Sequence, residues 1–154
     1  MLKPSALTRS SLQQLAESRL NEAKSLMRDG LYDGAVYLAG YSLELALKAR
    51  ICRLLDSDYP LEGPFISFKT HSYNTLLRLA GLEKALKAQR LRDPDFDKYW
   101  YFLVGSNSPD GTEGWSESWR YRNLGTANEA NVLSFIRALE DPTSGILTWL
   151  KTLW

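Results

Sequence analysis

The stretch GAVYLAGYSLELALKARI, residues 34–51, limits what this chain can fold into more than any other part of it. Only Ser42, Glu44, Lys48 and Arg50 are clearly polar across it; the rest is Ala, Leu, Val, Ile, Gly and Tyr. A helix that is apolar nearly all round offers water no suitable face, so it belongs at the centre of a bundle. Gly34, Ala35, Ala39, Gly40, Ala46 and Ala49 keep its surface small, which lets neighbouring helices approach closely. Gly40 costs about 1 kcal/mol relative to Ala in a helix interior, a cost that close packing or a role in an interface can offset. Glu44 and Lys48 stand i,i+4 with the acid first, the favourable order for a helical ion pair. Gly40, Tyr41, Glu44 and Lys48 are therefore read as structural or interface residues. Tyr32, Tyr37 and Tyr41, at helical spacings, read as core aromatics.

Bulk properties exclude several functions. At 154 residues the chain is expected to be one domain, 1–154, with a core of its own. A net charge of +1 argues against holding nucleic acid by bulk charge, though it leaves room for a local basic patch. One cysteine, Cys52, and one histidine, His71, cannot build an ordinary zinc site. Nor can they supply the paired Glu-x-x-His motifs of a bundle di-iron site. No G-x-S-x-G accompanies His71, so a serine-hydrolase arrangement has no support. No metal or cofactor is expected. The opening MLKPSALTRSSLQQLAESRL lacks the apolar segment of a signal peptide, and no apolar run nears the ~20 residues of a membrane helix. A cytoplasmic protein without membrane contact is the expectation.

The periodicity predicts an amphipathic helix starting at a Thr8 or Ser10 cap, with Leu12, Leu15, Ala16, Leu20, Ala23 and Leu26 on one face. Asp29-Gly30 ends it, with Gly30 as a left-handed cap. A short joint leads into the central helix, about 31 to 56, which implies an antiparallel hairpin. Residues 57–71 read as a loop that lays aromatic groups on the bundle. Thr70 or Ser72 caps the next helix, Gly81 interrupts it, and Lys84, Lys87, Arg90 and Arg92 form the most basic stretch, read as a solvated face. Pro94 suits the first position of a further helix with Asp93 as its cap. Residues 105–114, GSNSPDGTEG, form a polar loop. A last long helix begins near Thr126 or Asn128, Asp141-Pro142 breaks it, and a further helical run reaches the end. The fold class expected is all-α, an up-and-down bundle of about five helices.

Four segments carry a resemblance. AESRLNEAKSLMRDGLYDGAVYLAGYSLELALKARI resembles the start of a HEPN domain, through Gly30, Tyr32, Asp33, Ala35, Tyr41, Glu44, Leu47, Lys48 and Ala49. KTHSYNTLLRLAGL resembles the later family helix that opens near a His, and WSESWRYRNL and LTWLK resemble a bacterial and archaeal branch. The resemblance implies a helical bundle, usually a homodimer. Many relatives are ribonucleases of toxin–antitoxin and defence systems, with an Arg and a His separated by four to six residues. Others lack that motif and bind or scaffold partners, often a small nucleotidyltransferase.

This chain departs from the nuclease pattern. Arg122-Asn123 resembles the opening, but Ala127, Asn128 and Glu129 stand where the His would fall. Asn is no general base near neutral pH. The expectation is a non-catalytic component of a toxin–antitoxin or defence-type system that binds nucleotide, RNA or a partner, with an antitoxin or a nucleotidyltransferase as candidate partner. The alternatives are a metal-independent ribonuclease with a rearranged site drawn from Arg122, Asn128 and His71, and a structural subunit for a separate nucleotidyltransferase. The ligand-binding candidates are Trp119, Arg120, Tyr121 and Arg122, since aromatics stack on bases and arginines clamp phosphates.

Overall fold

The computed structural model describes residues 7–60, 68–105 and 114–154. Its frame is an antiparallel hairpin of α1 (Arg9–Arg28) and α2 (Tyr32–Leu55). Thr8 caps α1, its hydroxyl accepting the Ser11 N–H. The buried stripe Leu12, Ala16, Leu20 and Ala23 repeats at helical spacing and faces α2. Gly30, at φ 75°, turns the chain left-handed; its N–H reaches the Met27 carbonyl, and the Leu31 N–H reaches Leu26. That closure satisfies the last carbonyls of α1 and starts α2 within two residues.

Five further helices surround this hairpin: α3 (Tyr73–Leu79), α4 (Glu83–Arg92), α5 (Pro94–Val104), α6 (Glu129–Glu140) and α7 (Ile146–Leu150). A 3-10 turn, Glu117–Tyr121, precedes α6. The helical class is as expected, but seven α-helices stand among the described residues rather than about five. Gly81, at φ 69°, divides α3 from α4; Asp93 and Pro94 divide α4 from α5; Asp141 and Pro142 separate α6 from α7. Asp93 caps α5 as read, and α3 takes Ser72 as its cap.

Helix α2 is central. It touches α1, α3, α6, α7 and the 3-10 turn, and its burial runs round the whole helix from Ala35 to Cys52. Residues such as Leu43, Leu47 and Ile51 have no exposed surface. Each such side chain contributes roughly 1.5–3 kcal/mol when taken from water. The loop after α2 does lay aromatics on the bundle where it is described. The Tyr59 hydroxyl donates to the Phe68 carbonyl, and the two rings meet edge to face at 6.1 Å. Phe65 and Ile66, and Ser106 to Glu113, lie outside the described residues. No helix among the described residues is long and apolar enough to cross a membrane.

Candidate functional site

The aromatic and basic segment that follows Gly114 is fastened to the bundle at its start by Trp115. That ring is buried, lies between Tyr73 and Tyr37 at centroid distances of 5.2 and 5.9 Å, and its indole N–H donates to the Tyr37 carbonyl at 3.1 Å. A Cβ on Gly40 would lie 2.1 Å from that ring, so the smallness of Gly40 serves an internal seat. The end of the segment is held by Asp33. Its two carboxylate oxygens accept the backbone N–H groups of Gly125 and Ala127, each at 2.7 Å.

Between these fastenings lies a cavity of about 430 Å³, bounded by α5, α6 and the 3-10 segment. Trp119, Phe102 and Phe135 form its aromatic wall, with Phe135 edge-on to both other rings at 5.5 and 5.0 Å. The Arg122 guanidinium lies 4.0 Å over the Trp119 ring. Asp33, Tyr101, Thr126 and Asn131 complete much of the lining. The indole N–H of Trp119 is buried and has no partner among the described residues. The cavity thus joins a cation, flat apolar surfaces and a few polar groups, the usual make-up of a small-ligand site.

A family model of the HEPN domain matches residues 10–94, more than half of the 154 residues. The chain belongs to the HEPN domain family. No curated protein and no solved structure is significantly similar to it. The match covers α1 to α4 of this HEPN domain, whereas the cavity is built mainly from the part beyond it.

Of the residues singled out in the sequence, Trp119 and Arg122 share the cavity wall. Arg120 and Tyr121 stack on each other at 4.9 Å in exposed positions outside it, and Arg120 comes within 4.0 Å of Glu117. Asn128 is the cap of α6: its side chain accepts the Asn131 N–H, and the Asn131 side chain accepts that of Asn128. His71 lies on a separate cleft of about 480 Å³ with Trp115 and Glu117. The structure therefore does not bring His71, Asn128 and Arg122 to one cavity.

Glu44 is wholly buried, and its Oε1 accepts both Lys48 Nζ at 2.7 Å and His71 Nδ1 at 2.9 Å. Its Oε2 has no partner among the described residues. Burial, reinforced by Glu44, pushes the Tyr41, Tyr59 and Tyr73 phenols above their ordinary range. Tyr41 stacks on Tyr37 at 6.2 Å. Burial also pushes the Cys52 thiol up to about 11, so it is a core group and no nucleophile. No cluster of metal-ligating side chains occurs among the described residues.

Sequence reasoning did not assign Asp33, Tyr101, Phe102, Asn131 or Phe135 to the site. Asp33 had a signal, since it stands in the Gly-x-Tyr-Asp motif at the start of α2. The others carried only the apolar or polar pattern of a helix.

Proposed function

We propose that this HEPN domain is a non-catalytic binding component whose cavity takes a nucleotide or a short stretch of single-stranded RNA. The observation that carries the reading is the Arg122 guanidinium stacked 4.0 Å over Trp119, in a cavity of about 430 Å³ walled by further aromatics. Planar rings stack on bases without regard to sequence, and arginine pairs with phosphate in fixed geometry. The proton chemistry of a metal-independent ribonuclease has little support here. Both Asp33 oxygens are engaged with backbone N–H groups, and His71 lies on another cleft with both ring nitrogens engaged. We also propose that two copies associate and that the protein serves a toxin–antitoxin or defence-type system in the cytoplasm of a prokaryote, as in the relatives it resembles.

The test is fluorescence anisotropy with a labelled single-stranded RNA, run beside a cleavage assay on metal-free protein. Binding without cleavage is expected. Trp119→Ala should weaken binding by roughly 5- to 150-fold, the equivalent of about 1–3 kcal/mol of stacking. Cleavage that disappears in Arg122→Ala would replace this reading with the ribonuclease.

A further inference from the structure

His71 is the chain's sole histidine, and its ring bridges two carboxylates on different elements. Nδ1 lies 2.9 Å from Glu44 Oε1 on α2, and Nε2 lies 2.9 Å from Glu117 Oε2 at the start of the 3-10 turn. A neutral imidazole has one N–H and one lone pair, whereas two ionised carboxylates offer only lone pairs. Both contacts are hydrogen bonds when the ring carries both protons. With one proton, one of them sets a lone pair against a carboxylate oxygen.

The contact matters because of what Glu117 begins. The 3-10 turn buries none of its five residues, and Trp119 in its middle and Arg122 just after it line the cavity. Trp115 seats the segment before it, and Asp33 holds the segment after it. Between those points, the His71–Glu117 contact ties the turn back to the central helix through Glu44. We propose that His71 is a positioning residue, a proton-dependent clasp that holds the Trp119–Arg122 wall in place when doubly protonated and releases the turn when it loses a proton.

The groups around the ring do not take over this role. Lys48 on α2 already shares Glu44 Oε1, Arg120 on the turn stands 4.0 Å from Glu117, and Lys69 lies in the same cleft ahead of α3. Tyr59 and Tyr73, beside Glu44, are held in the phenol form by burial and by that carboxylate. The sign follows from the proton count. The clasp is complete while both ring nitrogens carry protons and is lost when one of them gives its proton up.

A single histidine makes the test direct. Protein labelled with nitrogen-15 histidine gives one ring, whose two nitrogens report protonation across a pH series. The Trp119 indole resonance, assigned with Trp119→Phe, is followed in the same samples. Both ring nitrogens should carry protons at the acidic end, and the Trp119 resonance should move with the ring's own midpoint. In Glu117→Gln, the amide can accept from a protonated nitrogen or donate to a bare one. The Trp119 resonance should then stop following the ring. A Trp119 resonance that stays still while the ring titrates overturns the clasp, as does a ring that is neutral wherever the protein is folded.

The ligand arm rests on the proposed binding function. Affinity for labelled single-stranded RNA should fall about fivefold or more across the ring's titration, the low end of site-to-site coupling, and should not do so in Glu117→Gln. No RNA binding at any pH, with Trp119 still tracking the ring, removes the binding function and leaves the clasp. RNA binding that is flat with pH, beside a flat Trp119 signal, removes the clasp and leaves the function.

Discussion

At the scale of single residues, Gly40 gives the clearest contest between local preference and packing. Alanine is the better helix former by about 1 kcal/mol, so propensity alone makes Gly40→Ala stabilising. The Trp115 ring stands 2.1 Å from where the new Cβ would sit, so the substitution must push the indole out of its seat between Tyr37 and Tyr73. Overpacking of this kind typically costs 1–3 kcal/mol. Gly40→Ala should therefore lower the urea midpoint, with a change in tryptophan emission. A raised midpoint would show that Trp115 can leave its seat without loss. The sequence showed a small residue in a helix that needed a reason to be there, and it left packing and interface both open. The reason lay 75 residues away, in a ring that no local pattern ties to it.

At the scale of elements, the ends of the helices were the most legible feature. A cap is a local bargain between a side chain and the next turn, so Thr8, Gly30 and Asp93 announce themselves. Asn128 belongs with them through its capping box with Asn131. Asn128→Ala should cost about 1 kcal/mol in urea unfolding, and Asn128→Asp should restore it, because either residue caps well. Failure of Asp to rescue would point to a need for the amide itself. Two carboxylates should set the acid response. The Phe96 N–H, then the Ser144 side chain, hold Asp93 below the usual carboxylate range. The Ser144 N–H, then that of Thr143, do the same for Asp141. A lowered folded value contributes stability above the unfolded carboxylate range, near pH 4, and that stability drains away as pH falls through the folded value. Melting temperature should drop on acidification below about pH 4, and less steeply in Asp93→Asn combined with Asp141→Asn. An unchanged slope would mean that other carboxylates carry the acid response.

At the scale of the molecule, the central helix was legible because composition alone excludes a watery face, and the family match, residues 10–94, spans it whole. The cavity was legible only in part. Trp119 and Arg122 stood out as an aromatic and basic pair, but Phe102 and Phe135 read as the faces of two separate helices. Helical periodicity states that a face is covered, and not by which element. The same segment bears on the proposed pairing of two copies. Leu124 is 96 % exposed and Tyr121 78 %, both in the stretch that closes the cavity, while Tyr101 and Phe102 on the cavity wall are 45 % and 40 % exposed. Leu124 has almost no contact to lose within one copy, so replacing it should leave the melting temperature of a dilute sample nearly unchanged. Burying a leucine contributes roughly 1.5–3 kcal/mol, equivalent to about a 10- to 150-fold change in a dissociation constant. If this face joins two copies, light scattering on a dilution series should give twice the chain mass for the wild type. Leu124→Glu should shift the midpoint to higher concentration by at least the lower of those factors. A wild type of single chain mass throughout would remove the dimer. A dimer indifferent to Leu124→Glu would move the interface to another face and leave the cavity open to solvent in both copies.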